Sequence, residues 1–213
     1  MPRPKHAETA EGRQHREEKY QRILEAALEV FAHKGFFEAK ITEIAKLAGV
    51  ADGTIYLYFK NKDDLLISVF ESKLEWINAT LRAELAEIAD VKDRLVHLVR
   101  FHLRISRDNP MLTRFMAVET RRSSKFMNDY GKDKLMMYLD QWGAVLEEGK
   151  KVGLVDPNLS TGIMKHMLFG ALDHGCNVWV TNPHRKPEDL DEIERQMTLL
   201  LRHAIAPMER TKA

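Results

Sequence analysis

Cysteine is nearly absent from this chain: Cys176 stands alone among 213 residues. A single thiol excludes an intrachain disulfide and fits a reducing compartment. Long apolar runs are missing as well. No stretch approaches the ~20 apolar residues of a membrane span, and no signal-peptide run opens the sequence. A cytoplasmic protein is therefore expected. Neither sign of charge dominates, with 33 Lys and Arg against 32 Asp and Glu. That balance excludes a uniformly basic coat for nucleic acid, but not a local basic face. Residues 1–62 hold 11 basic and nine acidic side chains, and the remainder 22 and 23, so charge alone assigns nothing. Period-two alternation, internal repeats and low-complexity tracts are all lacking, which excludes sheet and solenoid architectures. What is present is a 44% apolar fraction, enough for a real core.

The first 17 residues are polar, with Pro2, Pro4 and Gly12. They read as a flexible arm whose Arg3 and Lys5 suit DNA phosphates or a minor groove. From Glu18 the pattern is helical. Ile23, Ala26, Ala27, Val30 and Phe31 form one stripe, and Gly35 is a natural stop. Ile41, Ile44, Ala45 and Ala48 mark a short helix that ends at Gly49. Beyond Lys62, the residues Leu66, Phe70, Leu74, Ile77, Leu81, Leu85 and Ile88 recur every three or four positions. That spacing predicts an amphipathic helix of about seven turns. Further helices are expected near 91–108, 110–122, 132–152, 160–181 and 187–205. Asn109-Pro110, Gly153, Asp156-Pro157 and Asn182-Pro183 break the chain between them.

The stretch Gly49 to Lys62, Gly-Val-Ala-Asp-Gly-Thr-Ile-Tyr-Leu-Tyr-Phe-Lys-Asn-Lys, carries the most chemistry. A helix over about 52–59 would anchor itself through Ile55 and Phe59, which share a face. The opposite face then shows Gly53, Thr54, Leu57 and Tyr58, with Tyr56 at its flank. A merely solvated helix would carry Lys and Glu there. Gly53 allows close backbone approach to phosphate, Thr54 can bond phosphate or base, and Leu57 suits a thymine methyl. The hydroxyls of Tyr56 and Tyr58 suit phosphate oxygens, as do the ammonium groups of Lys60 and Lys62. Two short helices joined by a glycine turn are a helix-turn-helix, whose second helix enters the major groove.

From Ile41 to Lys62 the chain resembles the tetracycline-repressor (TetR) family of bacterial transcription regulators. The shared pattern is hydrophobic-x-x-Ile-Ala-x-x-Ala-Gly-Val-x-x-Gly-Thr-hydrophobic-Tyr-x-Tyr-Phe-x-x-Lys. The resemblance covers about a third of the chain and implies DNA contacts at Gly53, Thr54, Tyr56, Leu57, Tyr58 and Lys62, with Thr42 on phosphate. Asp52 departs from the pattern; it either caps the helix or accepts from a cytosine amino group. The implied fold is all-α, with about nine helices. Residues 18–62 form the DNA-binding domain and 63–213 an effector-binding and dimerisation domain.

The resemblance further implies a homodimer. Its seam is expected on the last two helices, 160–181 and 187–205. Met164, Met167, Leu168, Ala171, Leu172, Gly175 and Trp179 would face Leu190, Ile193, Met197, Leu200, Leu201 and Ala204. The ligand pocket is expected among Phe70, Leu74, Ile77, Leu81, Phe101, Ile105, Phe115, Met116, Met136, Leu139, Trp142, Met164 and Met167. Ten methionines, all but Met1 from Met111 onward, suit a pliable apolar lining. Arg121 and Arg122 could grip phosphates at its mouth. Val50 to Phe70, and more loosely Val118–Arg121 and Phe169–Asp173, resemble the FadR-type regulators of fatty-acid degradation. That implies a repressor released by long-chain acyl-CoA, with no bound cofactor. Another amphipathic effector, as in multidrug-type regulators, is the alternative. His97, His102, His166 and His174 lack any metal or nucleophile motif, so an enzyme is not expected. A helical scaffold would leave the groove-facing residues unexplained.

Overall fold

The computed structural model describes residues 10–122 and 132–205, without the side chains of residues 118–122, Lys132 and Ala204. All of the regular structure among the described residues is helical: α1 (Ala10–Glu38), α2 (Ile41–Ala48), α3 (Asp52–Ile55), α4 (Lys62–Glu87), α5 (Val91–Asp108), α6 (Pro110–Arg122), α7 (Lys132–Lys151), α8 (Thr161–Thr181) and α9 (Pro187–Ala204). The contacts divide the chain into two units after Phe70. This step lies inside α4, not at the expected 62/63 boundary. The first turns of α4 bury Leu65, Leu66, Val69 and Phe70 and belong to the first unit.

In the first unit, α1 buries Ile23, Leu24, Ala26, Ala27, Leu28, Val30 and Phe31. The expected flexible arm needs correction, because helix begins at Ala10 rather than Glu18. The polar residues there support helix without needing a core. Gln14 bonds Glu18 at 3.1 Å and Gln21 bonds Glu17 at 2.9 Å, each one turn apart. Residues 1–9, with Arg3 and Lys5, lie outside the described part. Gly35, with φ 74 and ψ 164, breaks α1 near its end. Gly49 closes α2 in the left-handed region, its N–H bonding the last carbonyls of that helix. At the start of α4, Asn61 Oδ1 accepts from Asp64 N–H, and Asp64 Oδ2 accepts from Lys60 N–H, both at 2.8 Å. This reciprocal cap fixes where the long helix begins.

The second unit packs α5 centrally among α7, α8 and α9. Asp90 caps α5 and Ser160 caps α8. Charged pairs tie the layers: Arg94 to Glu148 at 2.6 Å, Arg100 to Glu194 at 2.8 Å, and Arg107 to Asp191. Asn78, buried on α4, donates to the Leu74 and Lys134 carbonyls and accepts from Gln141. Gly149 is pressed by the fold, since a Cβ there would lie 2.6 Å from Val155 Cγ2. No described helix is long and apolar enough to cross a membrane.

Candidate nucleic-acid interface and effector site

The candidate DNA-reading surface is built on α2, α3 and the turn after it. Lys34 pairs with Glu43 at 2.7 Å and pins α2 against α1, and its hydrogen bond holds the Glu43 carboxyl below the usual range. The helix expected over 52–59 is shorter. Its α-helical part is Asp52–Ile55, followed by a tightened turn in which Leu57 N–H bonds Thr54 O and Tyr58 N–H bonds Ile55 O. Ala51 is the N-cap residue, so Asp52 is the first helical residue and does not cap. Ile55 and Phe59 are both buried. Tyr20 stacks on Phe59 at 5.2 Å, which locks the turn onto α1.

This anchoring leaves Leu57 76% exposed and Tyr56 57% exposed. Thr42, Gly53 and Lys60 are exposed beside them, and Thr54 is half-buried. A Cβ on Gly53 would meet nothing within 4 Å, so its open backbone faces solvent. Tyr58 is less free than the sequence implied. Its ring lies 6.2 Å from Tyr20 and carries the Arg16 guanidinium at 5.9 Å.

Lys62 already has partners within the chain. The sequence placed its ammonium on phosphate through charge. In the structure Lys62 Nζ donates to the carbonyls of Phe37 at 3.2 Å and Ala39 at 3.0 Å, and sits 4.6 Å above the Phe36 ring. Phe37 lies in the last turn of α1 and Ala39 just beyond it, where carbonyls lack partners within the helix, and the lysine gathers them. It clips the start of α4 to the end of α1.

In the second unit, Leu74, Ile77, Leu81, Phe101, Phe115, Leu139 and Trp142 are buried, and Ile105, Met116, Met136 and Met164 are half-buried. Phe70 is buried within the first unit. Met167 does not join the interior, for it is 62% exposed. It shares the outer face of α8 with Ile163, Gly170, Ala171, His174 and Val178, while Leu168, Leu172, Cys176 and Trp179 face inward. The expected dimer residues therefore split. Leu168, Leu172, Trp179, Leu190, Met197 and Leu201 are buried within the chain, whereas Met167, Ala171 and Leu200 remain outside. The side chains of Arg121 and Arg122 lie outside the described part.

Sequence reasoning missed a polar group inside this unit. His102 Nδ1 lies 3.1 Å from the Tyr138 hydroxyl, and the Phe169 edge packs against both rings. Trp142 Nε1 is buried near that hydroxyl without forming a hydrogen bond of acceptable geometry. Burial pushes the His102 pKa down to about 4, pushes Tyr138 upward, and raises the Cys176 thiol to about 11. All three stay neutral at pH 7. The signal was faint, because His102, Tyr138 and Phe169 are scattered over three helices. No group of side chains that could hold a metal occurs among the described residues.

Comparison with known proteins places these features. Residues 23–69 match the model of bacterial regulatory proteins, tetR family, and residues 70–204 that of YsiA-like protein, C-terminal region. A fatty acid metabolism regulator protein of Bacillus subtilis (strain 168) is 34% identical over 167 residues, spanning 78% of this chain and 86% of that protein. The structure of the fatty acid degradation regulator FadR from Bacillus halodurans superposes with a TM-score of 0.80 at 34% identity, covering 87% of this chain and 99% of that one. FadR from Bacillus subtilis in complex with stearoyl-CoA gives a TM-score of 0.80 at 33% identity, with the same coverage.

Proposed function

Because the chain belongs to the tetR family of bacterial regulatory proteins, we propose that it is a homodimeric repressor that binds a palindromic operator and is released by a long-chain acyl-CoA. The observation that carries the DNA reading is the exposed turn, where Leu57 and Tyr56 are offered to a groove by the buried Ile55 and Phe59. In this reading Leu57 lies against a thymine methyl, Thr54 and Gly53 work at close backbone approach, and Thr42, Tyr56, Tyr58 and Lys60 bond phosphates. Lys62 positions the head rather than touching DNA. Such a protein works where the chromosome is, in the cytoplasm.

The outer stripe of α8, through Met167 and Ala171, with Leu200 of α9, is the seam between protomers. The acyl chain enters the apolar interior of the second unit, among the half-buried Ile105, Met136 and Met164. The His102–Tyr138 pair supplies a neutral polar spot within it. Arg121 and Arg122 are the cations the sequence offers to coenzyme A phosphates. Support for this effector comes from the stearoyl-CoA complex of the Bacillus subtilis relative.

A gel shift on the DNA upstream of the protein's own gene tests both parts. Specific, salt-sensitive retention is expected, and micromolar stearoyl-CoA should abolish it while free coenzyme A does not. No specific retention would sink the operator reading. Release by an amphipathic cation, with stearoyl-CoA inert, would instead identify a multidrug-type effector.

A further inference from the structure

Beside the reading turn runs a groove of about 310 Å³. One wall is the first turns of α1, with Gly12, His15, Arg16 and Lys19; the other is Leu57 and Tyr58. These α1 residues recur at three and four, so they share one helical face. Arg16 and Lys19 give it its positive charge, with His15 beside them. No acidic side chain lines the groove itself; Glu17 lies on the far side, bonded to Gln21, while Glu11 and Glu18 flank the His15 edge of the face, Glu18 bonded to Gln14. Arg16 is held against the groove by its stacking on the Tyr58 ring, and Tyr20 below it is fixed on Phe59. The basic wall is thus pre-positioned and is continuous with the exposed Leu57.

Resting on the operator-binding reading, the geometry points to a second DNA-contact surface: Arg16 and Lys19, with His15, receive the operator's phosphate backbone next to the bases met by Leu57. The match is one of charge and continuity. A groove-reading turn must lie between two phosphate ribbons, and this wall offers cations where a ribbon would pass. From Gly12 to Lys19 the helix advances about 10 Å, against an axial rise of ~3.4 Å per phosphate on one strand. The wall is long enough for more than one phosphate. It reads no base, so it adds affinity and salt dependence but no sequence preference.

Lys19→Gln and Arg16→Gln test this in the full-length protein, against Glu17→Gln on the opposite face. The probe is a fluorescent duplex of its own upstream DNA, titrated by anisotropy across a salt series. With two heads per dimer, Lys19→Gln should lower the slope of log affinity against log salt by roughly 1.8. The preference for that duplex over a scrambled one should not change. Arg16→Gln should do the same, and Arg16→Lys should restore the slope by keeping the charge. Circular dichroism melts check that Lys19→Gln stays folded. An unchanged slope in Lys19→Gln, or an equal change in Glu17→Gln, overturns the inference while leaving the operator reading intact. Wild-type protein without salt-sensitive specific binding overturns both.

Discussion

Replacing Lys62 with Met separates a structural clip from a phosphate contact. Methionine keeps the apolar stem over Phe36 but removes the ammonium that bonds the Phe37 and Ala39 carbonyls. A charged donor bonded to a carbonyl contributes about 1.5–3 kcal/mol when well shielded, and a cation over a ring ~0.5–1 kcal/mol. The site is only half-buried, so solvent screening reduces both. The freed carbonyls can also reach water, which avoids an orphan penalty. A loss of about 2 kcal/mol is the working value, a shift of roughly 1 M in urea midpoint. The tryptophans are Trp76, Trp142 and Trp179, all beyond Phe70. Far-UV circular dichroism follows both units, whereas tryptophan emission follows only the second. Lys62→Met should move the dichroism transition more than the fluorescence transition. Its salt slope on DNA should stay at the wild-type value. A variant with wild-type stability that loses roughly 1.8 units of slope would return Lys62 to the phosphate.

Leu57→Ala should leave stability within about 0.5 kcal/mol, since the side chain is exposed, yet lose roughly 1 kcal/mol of discrimination at one base step; competition with single-base operator variants measures it. His102 is neutral in the fold, with its pKa lowered to about 4 by burial. An unfolded histidine near 6.5 takes up a proton first, so stability should fall from pH 6.5 toward 4, by up to roughly 3 kcal/mol. His102→Gln should flatten that segment of a urea-midpoint profile, and an unaltered profile would refute the assignment. Gly149→Ala would ordinarily favour a helix by about 1 kcal/mol. Here the 2.6 Å approach to buried Val155 should reverse the sign and cost about 1–3 kcal/mol in thermal or urea unfolding.

Much of the fold was legible because helices announce themselves by period. Leu66, Phe70, Leu74, Ile77 and Leu81 are buried along α4 as their spacing predicts, and Asn109-Pro110 and Gly153 fall at breaks. What escaped has local causes. Helix at 10–17 depends on side-chain pairs such as Gln14–Glu18, not on an apolar stripe. The shortness of α3 comes from its anchoring, for Phe59 has to reach Tyr20 and the turn tightens to let it. The partners of Lys62 are 23 and 25 residues away along the chain, invisible to any window. Met167 looked like pocket because methionine is pliable anywhere; only the packing of α8 shows which side it faces.

Cys176, sealed in α8, has a practical consequence. With the native thiol buried and its pKa raised, a thiol-directed spectroscopic label will find almost nothing to attach to in the folded wild-type protein. A single exposed cysteine, introduced as Lys46→Cys on α2, would then be the one addressable point on each protomer. Paired labels across a dimer become a ruler between the two reading heads. About one DNA turn, ~34 Å, is the spacing that fits an operator, and the same ruler can be read again after an effector is added.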